Sequence, residues 1–362
     1  MTDILNASLL LEWYDTHRRL LPWRETGDPY RIWLSEVMLQ QTQVATVIPY
    51  YERFIKAFPT PTALADAPDD RVLKMWEGLG YYNRCHNFLK AMRRVRDEHG
   101  GQVPDIPSLF SSLPGVGPYT CAAVQSIVFG HRLAAVDGNV NRVVTRLFAM
   151  EGVVTGAAVR RAIQDAVDIA IPEERPGDFN QAMMELGAIV CTPRRPDCLH
   201  CPLRIGCQAR ILGRQESFPV QGMKKKVPLY PVALAVLVDD GKILVQKRPA
   251  TGHLAGMWEF PGGRILTGED HAMALKRCLS EELGVVPEVG LLVGCVTHAY
   301  SHFKVELSLY LATVREGTAL PKKGQALAWI TSEAFETLAF PAANRKLFPL
   351  LADALKVLPS AI

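Results

Sequence analysis

The sequence predicts a chain of two domains, a mainly α-helical one followed by a smaller α+β one. Three observations carry that expectation. At 362 residues the chain exceeds what one ordinary core encloses. Apolar residues recur at three- and four-residue spacing up to about residue 220, and runs of β-branched residues bounded by turn signals begin only after it. The expected boundaries are residues 1–211 for the helical domain, 212–230 for a linker and 231–362 for the α+β domain.

In the first domain Trp33, Val37, Val44, Val47 and Ile48 follow helical spacing, and Pro, Gly and Asp clusters at 59–61, 100–107 and 172–178 punctuate the helices. After the stretch QGMKKKVPLYP the pattern changes. Val232–Val238 is a β-branched apolar run, Asp239-Asp240-Gly241 supplies a turn and Ile243–Gln246 returns, which predicts a hairpin. Further strands are expected at Val289–His298, Val305–Val314 and Leu327–Ile330, with helices near 270–283 and 344–356.

Composition narrows the class. Hydrophobic residues make up 48% and charged residues 21%, as in folded globular proteins. No run of 18 or more apolar residues occurs, so no membrane-spanning helix is expected. The amino terminus lacks the basic, apolar and small-residue order of a secretory signal, and the expected setting is the bacterial cytoplasm. Residues 227–362 hold 13 Lys+Arg and 13 Asp+Glu, so the net charge of +3 arises earlier. Within 194–226, Arg194, Arg195, Arg204, Arg210, Arg214, Lys224, Lys225 and Lys226 oppose only Asp197 and Glu216. Charge alone leaves two readings open there, phosphate contact or a solvated basic linker.

Four of the eight cysteines, Cys191, Cys198, Cys201 and Cys207, follow C-x6-C-x2-C-x5-C. In a chain expected in the cytosol this crowding argues for a metal or cluster site rather than disulfides. Four thiolates suit tetrahedral zinc or a cubane cluster, and spacing by itself favours zinc. Upstream, Leu113-Pro114-Gly115-Val116-Gly117-Pro118-Tyr119 joins two helical stretches. Gly115 and Gly117 permit positive φ around Val116, and Pro118 suits a first helical position. Backbone N–H groups there can face a phosphate, or the segment can be a tight interhelical turn. In the second half, Gly263, Glu269, Arg277, Glu281, Glu282 and Gly284 trace a Nudix box with Cys278 where a glutamate belongs. That glutamate helps hold Mg²⁺ in Nudix hydrolases, and a thiol is a poor ligand for a hard cation.

Taken in order, these motifs resemble the MutY family of adenine DNA glycosylases, within the endonuclease-III-like helix-hairpin-helix superfamily. The family likeness rests on the x6-x2-x5 cysteine loop, the hairpin, Leu34-Ser35-Glu36-Val37-Met38-Leu39-Gln40-Gln41-Thr42-Gln43, Val136-Asp137-Gly138-Asn139-Val140 and the Nudix-like ending. The resemblance implies a [4Fe–4S] cluster on Cys191, Cys198, Cys201 and Cys207, acting as a structural brace for a DNA-positioning loop. It implies phosphate contacts at Gly115, Val116 and Gly117. Bifunctional relatives carry a Schiff-base lysine just after the hairpin; Tyr119 stands here, so base excision without strand cleavage is expected.

The resemblance further implies that Glu36 protonates adenine at N7 and that Asp137 stabilises the sugar cation, with Tyr119 and Asn139 assisting. An ion pair and a transient covalent bond both remain open for Asp137. Gln41 and Tyr81, in Gly78-Leu79-Gly80-Tyr81-Tyr82, match residues that wedge beside the mispair. Trp23 and Arg24 in LPWR, with Gln181 in FNQAMMELG, match an adenine pocket. In His298-Ala299-Tyr300-Ser301-His302-Phe303, the residues Tyr300, Ser301 and His302 match a loop that reads 8-oxoguanine, with Tyr300 where the family usually has Phe. The expected partner is duplex DNA with A:8-oxoguanine or A:G mispairs, engaged by a monomer at the bacterial nucleoid. The competing readings are a bifunctional glycosylase/lyase, a Nudix-type diphosphate hydrolase and a non-catalytic mismatch binder.

Overall fold

The computed structural model describes residues 4–223, 227–322 and 326–357. Lys224, Lys225 and Lys226 of the basic stretch lie outside the described residues. The helices are α1 (Ala7–His17), α2 (Pro29–Leu39), α3 (Val44–Ala57), α4 (Pro61–Ala65), α5 (Asp69–Trp76), α6 (Tyr82–His99), α7 (Pro107–Ser111), α8 (Pro118–Phe129), α9 (Gly138–Leu147), α10 (Ala157–Ala170), α11 (Pro176–Ile189) and α12 (Gln208–Ile211). Strands β1 (Leu229–Asp239), β2 (Lys242–Lys247), β3 (Trp258–Glu259) and β4 (Gly262–Arg264) follow. Then come α13 (His271–Leu283), β5 (Val286–Ala299), β6 (Lys304–Glu316), β7 (Leu327–Ile330), α14 (Ala342–Arg345) and α15 (Phe348–Val357).

The chain forms two compact units, Met1–Asp66 with Asn87–Lys224, and Ala67–His86 with Lys225–Ile362. The first unit is helical. Its core joins Leu10 and Tyr14 of α1 to Val140, Val143, Val144 and Leu147 of α9, Ile163 and Val167 of α10, and Phe179, Met183 and Leu186 of α11. Two acidic caps set helix starts near the cleft described below. Asp28 accepts from the N–H groups of Tyr30 and Arg31, and Asp137 accepts from Val140, each satisfying amides the first helical turn leaves unpaired.

The second unit holds a seven-stranded sheet in the order β3-β2-β1-β6-β5, with β4 on β1 and β7 on β2. Strands β1 and β6 run parallel, whereas β1 and β2 form the expected hairpin, closed across Val238–Ile243 and Asp239–Lys242. Asp240 and Gly241 both take positive φ, the conformation a tight two-residue hairpin turn requires. Alternation buries both faces of β1. Leu234 and Val236 meet Phe335, Phe340, Leu347 and Leu351, while Ala233, Ala235 and Leu237 meet Leu275, Leu279 and Leu283 around α13.

The single helix expected over 344–356 is instead two, α14 and α15. Pro349 lacks an N–H and fits only the first turn of a helix, so α15 starts beside it. Segment 67–86 is tied to the C-terminal residues through side chains of α5 and its C-terminal cap. Glu77 accepts from Arg345 Nη1 at 2.7 Å and from the Phe340 N–H at 2.8 Å, and Lys74 Nζ donates to the Leu338 carbonyl at 3.0 Å.

Candidate active site

A cleft of about 990 Å³ opens in the helical unit where α2, the start of α8, the start of α9 and α11 converge. Glu36, Tyr119, Asp137 and Asn139 all line it, together with Trp23, Arg24, Gln41 and Gln181. The hairpin residues Gly115 and Gly117 lie on its rim, and Val116 falls between them. Residues separated by up to 158 positions in the chain, Trp23 and Gln181, thus share one concavity, which no local spacing could reveal.

Glu36 lies in α2, a helix buried on nearly every side from Ile32 to Met38, and is 7% exposed. Tyr119, in the first turn of α8, donates its hydroxyl to Glu36 Oε2 at 2.7 Å and also meets Met184 Sδ at 3.2 Å. Burial lifts the Glu36 carboxyl to about 7. The Tyr119 hydrogen bond opposes that rise, the Asp137 charge adds to it and Arg24 opposes it. The tyrosine hydroxyl is itself held well above its usual range by burial and by Glu36, so it remains a neutral donor. An acid poised near neutrality inside a cleft can deliver a proton to a leaving group.

Asp137 caps α9, with Oδ1 accepting from the Val140 N–H at 2.7 Å and Oδ2 from Asn139 Nδ2 at 2.8 Å. Burial raises its pKa; the hydrogen bonds from Val140 and Asn139, and the charge of Arg142, work against the rise. Arg142 donates to Asn139 Oδ1 at 2.8 Å, to the Gly187 carbonyl at 2.7 Å and to the Cys191 carbonyl at 2.7 Å. The carboxylate's orientation is therefore coupled to the cysteine loop through one guanidinium. This approach of α9 to α11 depends on Gly187, since a Cβ there would stand 2.6 Å from Asn139 Cβ.

The hairpin between α7 and α8 turns at Gly115, whose φ of +78° excludes most side chains, and a Cβ there would also meet Asn87 at 2.7 Å. Gly117 caps α8 without a side-chain hydrogen bond, which leaves first-turn amides available to an anion. Gln41 and Tyr81 both hold positive φ, at 58° and 50°, an uncommon and costly backbone state for non-glycine residues. Tyr81 belongs to the second unit, where its hydroxyl accepts from Ser301 Oγ at 2.9 Å. Tyr300 packs edge-on to His253 and His298 and beside Phe303, while Ser301 and His302 are exposed.

Cys191, Cys198, Cys201 and Cys207 line one pocket with Arg146, Leu147 and Val190. Among the described residues no three ligand-type side chains are arranged to hold a single metal ion. Arg146 is 2% exposed and donates to the carbonyls of Phe218, Cys191, Thr192 and Pro193 and to Cys191 Sγ at 3.3 Å. It pairs with no carboxylate among the described residues. A buried cation pressed against thiols suits an anionic thiolate-bound group.

In the second unit Arg277 and Glu269, both in the Nudix-like motif, pair at 2.6 Å. The carboxylate position is filled by Cys278, 5% exposed, whose sulfur packs against Gly263. The amide of Gln246 donates to Glu282 at 3.0 Å, so that carboxylate already has a protein partner.

Sequence reasoning missed Arg19, Met184, Glu185, Arg142 and Arg146. For Glu185 a signal existed, since it follows Gln181 by four positions and shares its helix face.

Comparison with known proteins agrees with this architecture. The HhH-GPD superfamily of base excision DNA repair proteins matches residues 34–168, and the NUDIX domain family matches residues 232–350. The adenine DNA glycosylase of Homo sapiens is 35% identical over 94% of this chain and 72% of its own length. That of Mus musculus is 36% identical over 96% of this chain and 78% of its own. The solved structure of a thermostable thymine-DNA glycosylase superposes with a TM-score of 0.53 at 31% identity, covering 58% of this chain and 97% of its own. Helices, cleft, hairpin and Nudix-like sheet thus have one common explanation: the chain belongs to the adenine DNA glycosylase family.

Proposed function

We propose that this chain removes adenine from DNA where it is mispaired with 8-oxoguanine, and also with guanine, by hydrolysing the N-glycosidic bond without cutting the strand. One observation carries the reading: a buried carboxyl poised near pH 7 and a capped aspartate share a single cleft.

Adenine enters the cleft by rotating out of the duplex, at a cost of a few kcal/mol. Glu36, protonated and steadied by Tyr119, gives its proton to N7 and turns the base into a neutral leaving group. Positive charge then develops on the sugar, and Asp137, oriented by Asn139 and the Val140 N–H, stabilises it. Water completes the hydrolysis. Tyr119 offers no amine, so no imine forms and strand cleavage has no nucleophile at that position. Trp23, Arg24 and Gln181 receive the base. Gln41 and Tyr81 occupy the space it leaves, which gives their unusual backbone a purpose.

Gly115, Val116 and Gly117 hold phosphate at the start of α8. Cys191, Cys198, Cys201 and Cys207 are the residues that would hold a [4Fe–4S] cluster. Bound there, it would brace the loop carrying Arg194 and Arg195 against the DNA and take no part in the chemistry. Ser301, placed by its hydrogen bond to Tyr81, accepts the N7–H that distinguishes 8-oxoguanine from guanine, with Tyr300 and His302 beside it. The partner is duplex DNA, met by a monomer in a nucleoid setting.

The test is a duplex carrying A opposite 8-oxoguanine, assayed beside A:G, A:T and A:C, with and without alkali. Abasic sites revealed only by alkali, formed fastest opposite 8-oxoguanine, are expected. Adducts trapped by borohydride would instead revive a lyase, and no excision of A from any mispair would end the proposal.

A further inference from the structure

We infer that Glu185 is a positioning residue for base excision, whose carboxylate fixes Arg19 and Arg24 on the cleft wall and cancels one of their two charges beside the proton donor. The inference rests on Glu36 being that donor. Glu185 lies one turn after Gln181 on α11, and its side chain is 1% exposed. Four hydrogen bonds converge on it: from the Arg19 backbone N–H at 2.9 Å, Arg19 Nε at 2.8 Å, Arg19 Nη2 at 2.7 Å and Arg24 Nη2 at 2.9 Å. Arg24 Nη1 also donates to the Arg19 carbonyl at 3.1 Å, and its guanidinium lies 5.5 Å from the centre of the Tyr14 ring. The loop before α2 is thereby pinned to α11, and all three charged residues line the cleft.

A simple structural brace would need only one guanidinium and no particular charge. Here one buried carboxylate faces two cations, and the second of them, Arg24, acts electrostatically on Glu36. The other groups acting on Glu36 are Tyr119 from α8 and Asp137 at the start of α9. Glu185 holds Arg19 and Arg24 through the hydrogen bonds above, and Met184 of α11 meets the Tyr119 hydroxyl at 3.2 Å. Were Glu185 neutral, both guanidinium charges would stand unopposed, and the field at Glu36 would favour loss of its proton. With Arg19 neutral, the Arg24–Glu185 pair would balance and the proton would be held more tightly.

The experiment is single-turnover adenine release as a function of pH for the full chain, Glu185→Gln, Arg19→Gln and the double variant, with Glu36→Gln as control. Glu185→Gln should move the alkaline midpoint down by about half to one unit, a roughly three- to tenfold loss above it. Arg19→Gln should move the midpoint upward, and the double variant should return it close to that of the unaltered chain. The same midpoint in every variant, whatever the change in absolute rate, overturns the inference and leaves Glu185 a brace. If Glu185→Gln does not fold, the upward shift in Arg19→Gln decides alone. Should the unaltered chain lack an alkaline limb, or Glu36→Gln retain it, the fault lies with the assignment of Glu36 instead.

Discussion

Replacing Tyr119 by Phe removes one oxygen and tests how the proton donor is tuned. In the structure the tyrosine hydroxyl donates to Glu36 Oε2 at 2.7 Å inside a cleft where the carboxyl is almost fully buried. A hydrogen bond to a charged group of this kind contributes about 1.5–3 kcal/mol. Because it favours the ionised carboxyl, its loss should raise the pKa of Glu36 by about one to two units at 1.36 kcal/mol per unit. Water entering the vacated space would replace part of the bond, so the lower figure is the better guide. The sign is fixed by geometry: Glu36 would keep its proton to higher pH, and the alkaline limb of excision would move from near 7 towards 8 or above. Single-turnover kinetics across that range read the midpoint separately from the plateau, which is expected to fall if the phenol also assists the transition state. A midpoint that stayed in place or moved to lower pH would show that Tyr119 does not tune Glu36.

Three further outcomes follow from the same geometry. Glu36 has a folded-state pKa of about 7 against an ordinary 4.5, so the folded chain binds the extra proton and stability falls as pH rises between those values. Glu36→Gln should therefore gain a few kcal/mol relative to the unaltered chain at pH 8 but little at pH 4, by thermal or denaturant unfolding, while losing excision; equal gains at both would contradict the burial argument. Gly187→Ala should cost about 1–3 kcal/mol and slow excision, because its Cβ must displace Asn139 and with it Asp137; an unchanged melting temperature and rate would show that the helices separate freely. Ser301→Ala should reduce the preference for A:8-oxoguanine over A:G by about tenfold, the worth of one good hydrogen bond at 1.4 kcal/mol, with A:G excision little changed; competition between the two duplexes measures it directly.

Much was legible in the chain itself. Helical periodicity, the hairpin glycines and the β-branched runs announced an α-helical half and an α+β half, because each depends on residues a few positions apart. Cys278 in an otherwise recognisable Nudix box was equally local, and so was the absence of a lysine at Tyr119. The break between α14 and α15 was also local, because Pro349 fits only a first helical turn and lies inside the single helix expected over 344–356.

Only the tertiary structure decided which distant groups act together. Glu36 and Asp137 are 101 positions apart; the apolar neighbours of Glu36 in the chain hint at a raised pKa, but its value near 7 follows from burial, a property of everything packed around it. The same holds for Arg146, buried against thiols, and for Glu185, an ordinary helix glutamate until two arginines from before α2 fold onto it. Sequence sets backbone preference residue by residue. Desolvation and charge coupling act through space, and they exist only once the chain has closed around them.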